Sequence, residues 1–133
     1  MKFTCHGHPH MKASHASTFE FTKEKEMTTQ GTCILGVHCD FSLKEIEKLI
    51  EENDFIEGKI KIEKETVSFF SKINKDFCHQ KEIVFRKSGF LSERTLGIFC
   101  DKSAHDLSRT MRKMIKNKNQ NIEVELLGKK NTE

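Results

Sequence analysis

Two groups of residues in this chain have the types and spacing to do chemistry. The first is Cys5-His6-Gly7-His8-Pro9-His10, followed by His15. In an extended strand His6, His8 and His10 share one face, because side chains alternate with period two. Pro9 cannot donate to a ladder, so the strand ends there or lies at an edge. Neutral imidazoles at an open strand end suit zinc, nickel or iron. His8, His10 and His15 are therefore the candidate metal ligands, with Asp40 or Cys33 as a possible fourth. The competing reading is that these rings are solvated or bonded to backbone groups. For His15 a hydrogen-bonding role is favoured, because His79 stands at the corresponding place later in the chain. No metal signature of the helical His-x-x-x-His kind occurs.

The second group is basic: Arg86, Lys87 and Ser88, then Arg94 after a hairpin and Lys102 before a helix start. Two guanidinium groups with a hydroxyl form a cradle for phosphate or carboxylate. The helix expected to begin at Ser103 adds positive potential. The competing reading is that these side chains pair with Asp40, Asp101 or Glu20. Cys39 and Cys100 each precede an Asp and a helix start, a position that can activate a thiol. Both also lie in strands, where a small buried apolar residue is the simpler reading. Walker loops, dinucleotide fingerprints and nucleophile elbows are absent from the sequence.

The elements that position these residues follow from the pattern. The 133 residues suit one domain, long enough to bury roughly two thirds of its unfolded surface. Net charge is +3, unevenly spread. Residues 1–64 hold nine Lys/Arg against eleven Asp/Glu, and residues 65–133 hold fourteen against nine. The amino terminus lacks the apolar core of a secretory signal, and no apolar run reaches membrane-spanning length. A cytoplasmic protein is expected, its five cysteines mostly reduced thiols and no membrane partner involved.

Two stretches of the chain match. Gly36-Val37-His38-Cys39-Asp40-Phe41-Ser42 parallels Gly97-Ile98-Phe99-Cys100-Asp101-Lys102-Ser103, each preceded by Leu. Each Ser opens a capping box, with Glu45 and Asp106 three residues on. His15, Phe19, Phe21 and Lys23 match His79, Ile83, Phe85 and Lys87 in spacing. The expectation is a β-rich α+β fold: internally duplicated β-β-β-α-β units, about 1–64 and 65–133, forming a sandwich or partly closed barrel with two flanking helices. Strands are predicted near 2–8, 17–23, 32–39 and 58–64, then 65–71, 82–87, 94–100 and 121–127. Helices are predicted near 43–53 and 104–117. The third strand of each unit is apolar and reads as central. Gly36 and Gly97 suggest bulges or close backbone approaches.

The motifs resemble a known family. Gly7-His8-Pro9-His10, Ala13-Ser14-His15, Phe19-Glu20-Phe21-Thr22 and Gly31-Thr32-Cys33-Ile34-Leu35-Gly36-Val37 are similar to an archaeal domain of unknown function, number 371. Arg86-Lys87-Ser88, Phe90, Arg94-Thr95-Leu96 and Asp101-Lys102-Ser103-Ala104 extend the resemblance over nearly the whole chain. In that family the position of His10 is often Asn and that of Thr32 often Asp. A second Gly-His-Pro opens its second half, where this chain reads Ser71-Lys72-Ile73-Asn74. The resemblance implies an archaeal, cytoplasmic, β-rich protein and brings no activity with it.

These readings converge on a cytoplasmic binding or enzyme scaffold for a small anionic ligand, with or without a divalent transition metal. Its site is expected at the seam of the two repeats, the histidines on one side and the basic residues on the other. The alternative is a nucleic-acid or ribonucleoprotein binder using the basic second half. Arg109, Arg112, Lys113 and Lys116 would form a basic stripe on the second helix. Against it, the chain has no Tyr or Trp, and most Phe residues fall in strands rather than on exposed platforms for bases. A third class is a structural or partner-binding protein without pocket chemistry.

Overall fold

A computed structural model describes residues 1–27 and 31–131. The chain forms β1 (Lys2–His6), β2 (Thr18–Thr22), β3 (Ile34–Gly36), α1 (Leu43–Glu52), β4 (Phe55–Ile62), β5 (Glu65–Ile73), β6 (Glu82–Arg86), β7 (Thr95–Ile98), a 3-10 turn (Ala104–Asp106), α2 (Arg109–Met114) and β8 (Asn121–Lys129). It is β-rich α+β. The strands make one mixed sheet in the order β1-β8-β4-β5-β7-β6-β2-β3. The expected sandwich is thus a single layer of sheet, curled about its own core. The sheet is not closed: its outer strands, β1 and β3, meet only at the isolated bridge His6↔Val37. No helix among the described residues is long and apolar enough to cross a membrane.

Period-two patterning explains the curl. Ile56, Ile60 and Ile62 of β4, and Ile122, Val124 and Leu126 of β8, are buried, while Lys59, Lys61 and Glu123 between them are exposed. Gly58 shares the inward row because the Phe69 ring occupies its side-chain space; an added Cβ would lie 2.0 Å from Phe69 Cζ. Phe19, Phe69 and Phe85 interlock at the centre, each pair of rings 4.9 Å apart. Removing apolar surface on this scale from water stabilises the fold by about 1.5–3 kcal/mol per large side chain.

Both helices lay a short apolar face on the sheet. Ser42 Oγ accepts the Glu45 N–H at 3.3 Å and starts α1, which buries Ile46 and Leu49. Asn53 ends it, its side-chain amide donating to Leu49 O at 3.0 Å. The single helix expected near 104–117 is instead two pieces. The Ser103 N–H donates to Asp106 at 2.8 Å. Leu107 then turns extended, and Ser108 Oγ caps a new start through Met111 N at 3.1 Å. Two closely spaced serines offer two caps, and the second wins over a continuous helix. Lys116 therefore lies beyond α2, and the stripe of four is a helical pair of turns plus one loop residue.

The third strands also differ from expectation. β3 is an outer strand and β7 an inner one, and both are short. Each pairs in parallel with its predecessor, β2 or β6, through a shifted register at Gly36 or Gly97. A Cβ on Gly36 would lie 2.2 Å from Cys5 Sγ, and one on Gly97 2.5 Å from Phe85 Cδ1. Two residues later His38 and Phe99 adopt positive φ, 56° and 51°, which ends each strand.

The bonds around these turns match in pairs. The Cys39 N–H donates to Thr22 O and the Cys100 N–H to Arg86 O. His38 N–H reaches Glu24 O, and Phe99 N–H reaches Ser88 O. Asp40 accepts the Thr4 N–H at 2.7 Å, and Asp101 accepts the Phe70 N–H at 2.8 Å.

Candidate functional site

The β2–β6 pair is where unlike charges collect. All five residues of β2 are buried. Phe19 and Phe21 point into the core, so Glu20, one step out of phase, lies on the opposite face of the sheet. It pairs with Val84 of β6 and is 4% exposed. Burial pushes the Glu20 carboxyl up to about 7; Glu82 adds to the rise, and Arg94, the Cys33 thiol and Arg86 oppose it. Arg94 Nη1 lies 3.3 Å from Glu20 Oε1 and 3.0 Å from Glu82 Oε2. The Cys33 Sγ is 3.8 Å from the same Glu20 oxygen. Burial, with Glu20 nearby, raises that thiol to about 11, so Cys33 is a protonated donor rather than a thiolate.

Arg86 stands beside this group on different terms. Its Nε donates to Thr95 Oγ1 at 2.9 Å, and Ser92 Oγ lies 2.6 Å from the same hydroxyl. Its guanidinium rests over the Phe90 ring, 5.0 Å from the centroid. Among the described residues no carboxylate oxygen comes within 4.0 Å of it. Partial burial and the positive charge of Arg94 both lower its pKa. Arg94 is pulled the other way, chiefly by its bond to Glu82.

The other basic candidates are spoken for. Lys87 Nζ is 3.3 Å from Asp106, and Lys102 Nζ is 3.4 Å from Asp101. Ser88 Oγ accepts the Phe90 N–H at 3.3 Å. Desolvation raises the Asp106 pKa, but the Ser103 N–H and Lys87 outweigh it and hold the carboxyl below the usual carboxylate range.

The structure divides the histidines. His8 and His10 are neighbours, ring centroids 4.9 Å apart. His8 Nε2 lies 3.4 Å from Glu26, its Nδ1 accepts the His10 N–H, and His10 Nδ1 lies 2.9 Å from Met27 O. His8, but not His10, lines a groove of about 620 Å³ together with His6 and His38, whose rings are 5.5 Å apart. His15 is elsewhere, at the start of β2, where its Nδ1 accepts the Ser17 N–H at 3.2 Å. His79 does the same at the start of β6, accepting from Lys81 and Glu82. Among the described residues, no three or more His, Cys, Asp or Glu side chains are grouped to hold a metal ion. Asp40 is committed to Thr4 through both carboxylate oxygens.

His15 lies on the Arg86 side, where its carbonyl accepts the His105 N–H at 3.1 Å. Ser17 O accepts the Lys87 N–H, and Thr18 pairs with Arg86. Two further grooves of about 450 Å³ each flank the Lys59↔Glu125 pair on the other side of the sheet order, at β4 and β8. Neither they nor the histidine groove includes Glu20, Arg86 or Arg94.

From sequence Glu20 was named only as a rival partner for the basic residues, and Phe90 was given no role. A mid-strand acid between two Phe residues reads as the solvated side of a half-buried strand, and nothing local says the outer face is covered. The absence of exposed aromatic platforms needs correcting. Phe90 and Phe99 are 62% and 61% exposed, with Leu91 at 56%, because the β6–β7 loop and the positive-φ turn after β7 carry them off the sheet.

Residues 3–129 match the family described as domain of unknown function (DUF371). An uncharacterised protein of Methanocaldococcus jannaschii is 34% identical over 116 residues, covering 83% of this chain and 86% of the relative. With a family match over most of its length and a relative at that identity, the chain belongs to the DUF371 family.

Proposed function

We propose that the protein is a binding or enzyme scaffold for a small anionic ligand, bound on the outer face of the β2–β6 pair with Arg86 as the primary contact. The observation that carries this reading is Arg86 itself: a partly buried guanidinium with no carboxylate partner among the described residues, next to a second guanidinium. An anion would relieve that repulsion and take up its free N–H groups. Arg94, tied to Glu20 and Glu82, orients rather than competes. Glu20, titrating near neutrality, can hold or release a proton beside the ligand.

The reading draws support from the paired bonds of the two halves. If the halves are copies, β2 and β6 exchange places, with the axis passing between Glu20 and Val84 and between Lys59 and Glu125. The groove lined by Lys2, Phe3, Thr4 and Asp40 then corresponds to the one lined by Ser68, Phe69, Phe70 and Asp101. A cluster on such an axis is where two copies jointly make one unlike site. A cytoplasmic setting, where thiols stay reduced, suits the five unbridged cysteines.

The test is titration with inorganic phosphate and sulfate, read by amide shifts in NMR. Shifts should concentrate on residues 84–95. Arg86→Gln should abolish them with less than about 1 kcal/mol lost in stability, since no acid is stranded. Unchanged titration in that variant would defeat the proposal. Elemental analysis of untagged protein is a separate arm for zinc, nickel or iron at His8 and His10.

The nucleic-acid reading keeps one favourable observation: Arg109, Arg112, Lys113 and Lys116 have no acidic partner within 4.0 Å among the described residues. Binding through this stripe should weaken steeply with salt. Charge reversal of all four, assayed by gel shift, decides it.

A further inference from the structure

Of the five large apolar residues that are strongly exposed, Phe90, Leu91 and Phe99 lie on or against the loop that follows Arg86. Phe99 is held there at two costs. Its ring faces water, and its backbone sits at φ 51°, a conformation a bulky residue rarely adopts. Two bonds fix it: Phe99 N–H to Ser88 O at 3.0 Å and Cys100 N–H to Arg86 O at 2.9 Å. The ring lies across Gly89, where a Cβ would come 2.5 Å from Phe99 Cζ. Glycine at 89 is thus what lets the end of the ring come up against the loop. The matching turn in the first half shows His38 instead, at φ 56°. The turn geometry is common to both halves, and the large apolar ring is particular to this one.

On the other side of Gly89, Phe90 lies under the Arg86 guanidinium, 5.0 Å from ring centroid to Cζ. A cation with unused N–H donors therefore stands among exposed flat rings. Phosphate or carboxylate alone would use only the guanidinium. A ligand that joins an anion to a flat heteroaromatic ring would use both, through charge-assisted bonds and stacking.

Resting on the anion reading above, we propose that the ligand is a nucleoside phosphate: Arg86 takes the phosphate, and Phe90 or Phe99 stacks the base. The phosphate-bearing nucleoside is either a free nucleotide or a unit of a single strand.

The experiment titrates the full chain with inorganic phosphate, AMP and a ten-residue oligouridylate, by NMR and calorimetry. AMP should bind about tenfold or more tightly than phosphate, as stacking adds to the anion contact. Phe90→Leu and Phe99→Leu should each be melted first to show that the fold is kept. At least one of them should bring AMP down to the phosphate affinity while leaving phosphate binding unchanged. Arg86→Gln should remove both. Oligouridylate binding at least tenfold tighter than AMP, with a steep salt dependence, places the nucleoside phosphate in a strand; equal affinity makes it a free nucleotide. Equal binding of phosphate and AMP in the unsubstituted protein overturns the nucleoside and leaves the anion site standing. Absence of binding by all three overturns both.

Discussion

The two halves build the same turns and then use them differently. Toward the core their residues stay alike: Phe19 and Phe21 in β2 answer to Ile83 and Phe85 in β6, and Leu35 to Leu96. On the outer face they part. By position along each strand, Glu20 answers to Val84, Thr18 to Glu82 and Thr22 to Arg86, although across the antiparallel pair Thr18 faces Arg86 and Thr22 faces Glu82. At the turns, His38 answers to Phe99. The inner face is constrained by close packing, where a change of one methylene is felt. The outer face can take new charge provided each buried group finds a partner. The difference between the two halves thus falls on the outer face, where the asymmetric cluster of charges lies.

The largest effects should come from the face on which the halves agree. Phe19 and Phe85 stack at 4.9 Å with an interplanar angle of 14°. Phe19→Ala and Phe85→Ala should each cost about 3–5 kcal/mol. Urea unfolding measures this, and a loss below ~1 kcal/mol at either position would break the claim that the inner faces are equivalent.

A smaller effect should come from Glu20 and should depend on pH. Its folded pKa lies above the unfolded one, so the folded protein keeps a proton that the unfolded chain gives up. The stability this contributes is full below about pH 4.5, falls as pH rises and is gone above about pH 7. At about 1.4 kcal/mol per pH unit the span is on the order of 3 kcal/mol. Glu20→Gln cannot ionise, so its stability should fall less between pH 5 and pH 8 than that of the unsubstituted protein. Parallel profiles for the two would remove Glu20 from the account. Val84, its counterpart, has no such dependence to lose.

The smallest effect concerns a mismatch within the core. Cys5 and Ser71 occupy corresponding places beside Gly36 and Gly97. The Cys5 thiol lies 3.8 Å from Ile122 O, while the Ser71 hydroxyl is fully buried without a partner among the described residues. An unpaired buried hydroxyl costs about 1–3 kcal/mol. Ser71→Ala should therefore stabilise by about 1 kcal/mol in thermal melts. A destabilised variant would mean the hydroxyl is paired in solution.

What sequence revealed and what it concealed follows the same division. Strand alternation, the Ser42 cap and the Gly36 and Gly97 approaches were legible because each depends on near neighbours. Arg86 and Arg94 were expected to be neighbours across a hairpin; they are near each other, but β6 and β7 pair in parallel, and Glu20, named as a rival partner, takes Arg94. The role of β3 was not legible: an apolar third strand suits an inner or an outer position, and only the sheet order distinguishes them. Nor was the partition of the histidines. His8 and His15 are seven residues apart, but the chain between them turns away before β2 begins.

The near-meeting of β1 and β3 has a consequence for how the molecule behaves among its own copies. An open sheet ordinarily ends in a row of unused donors and acceptors that another chain can extend. Here the outward N–H and C=O of Thr4 are taken by the Asp40 side chain and backbone N–H, and those of His6 by Val37. The two rims of the sheet occupy each other's bonding groups at these positions without a full ladder between them. The protein thus gains a barrel's resistance to end-to-end polymerisation, while keeping a line along which the wall can part by breaking only a handful of bonds.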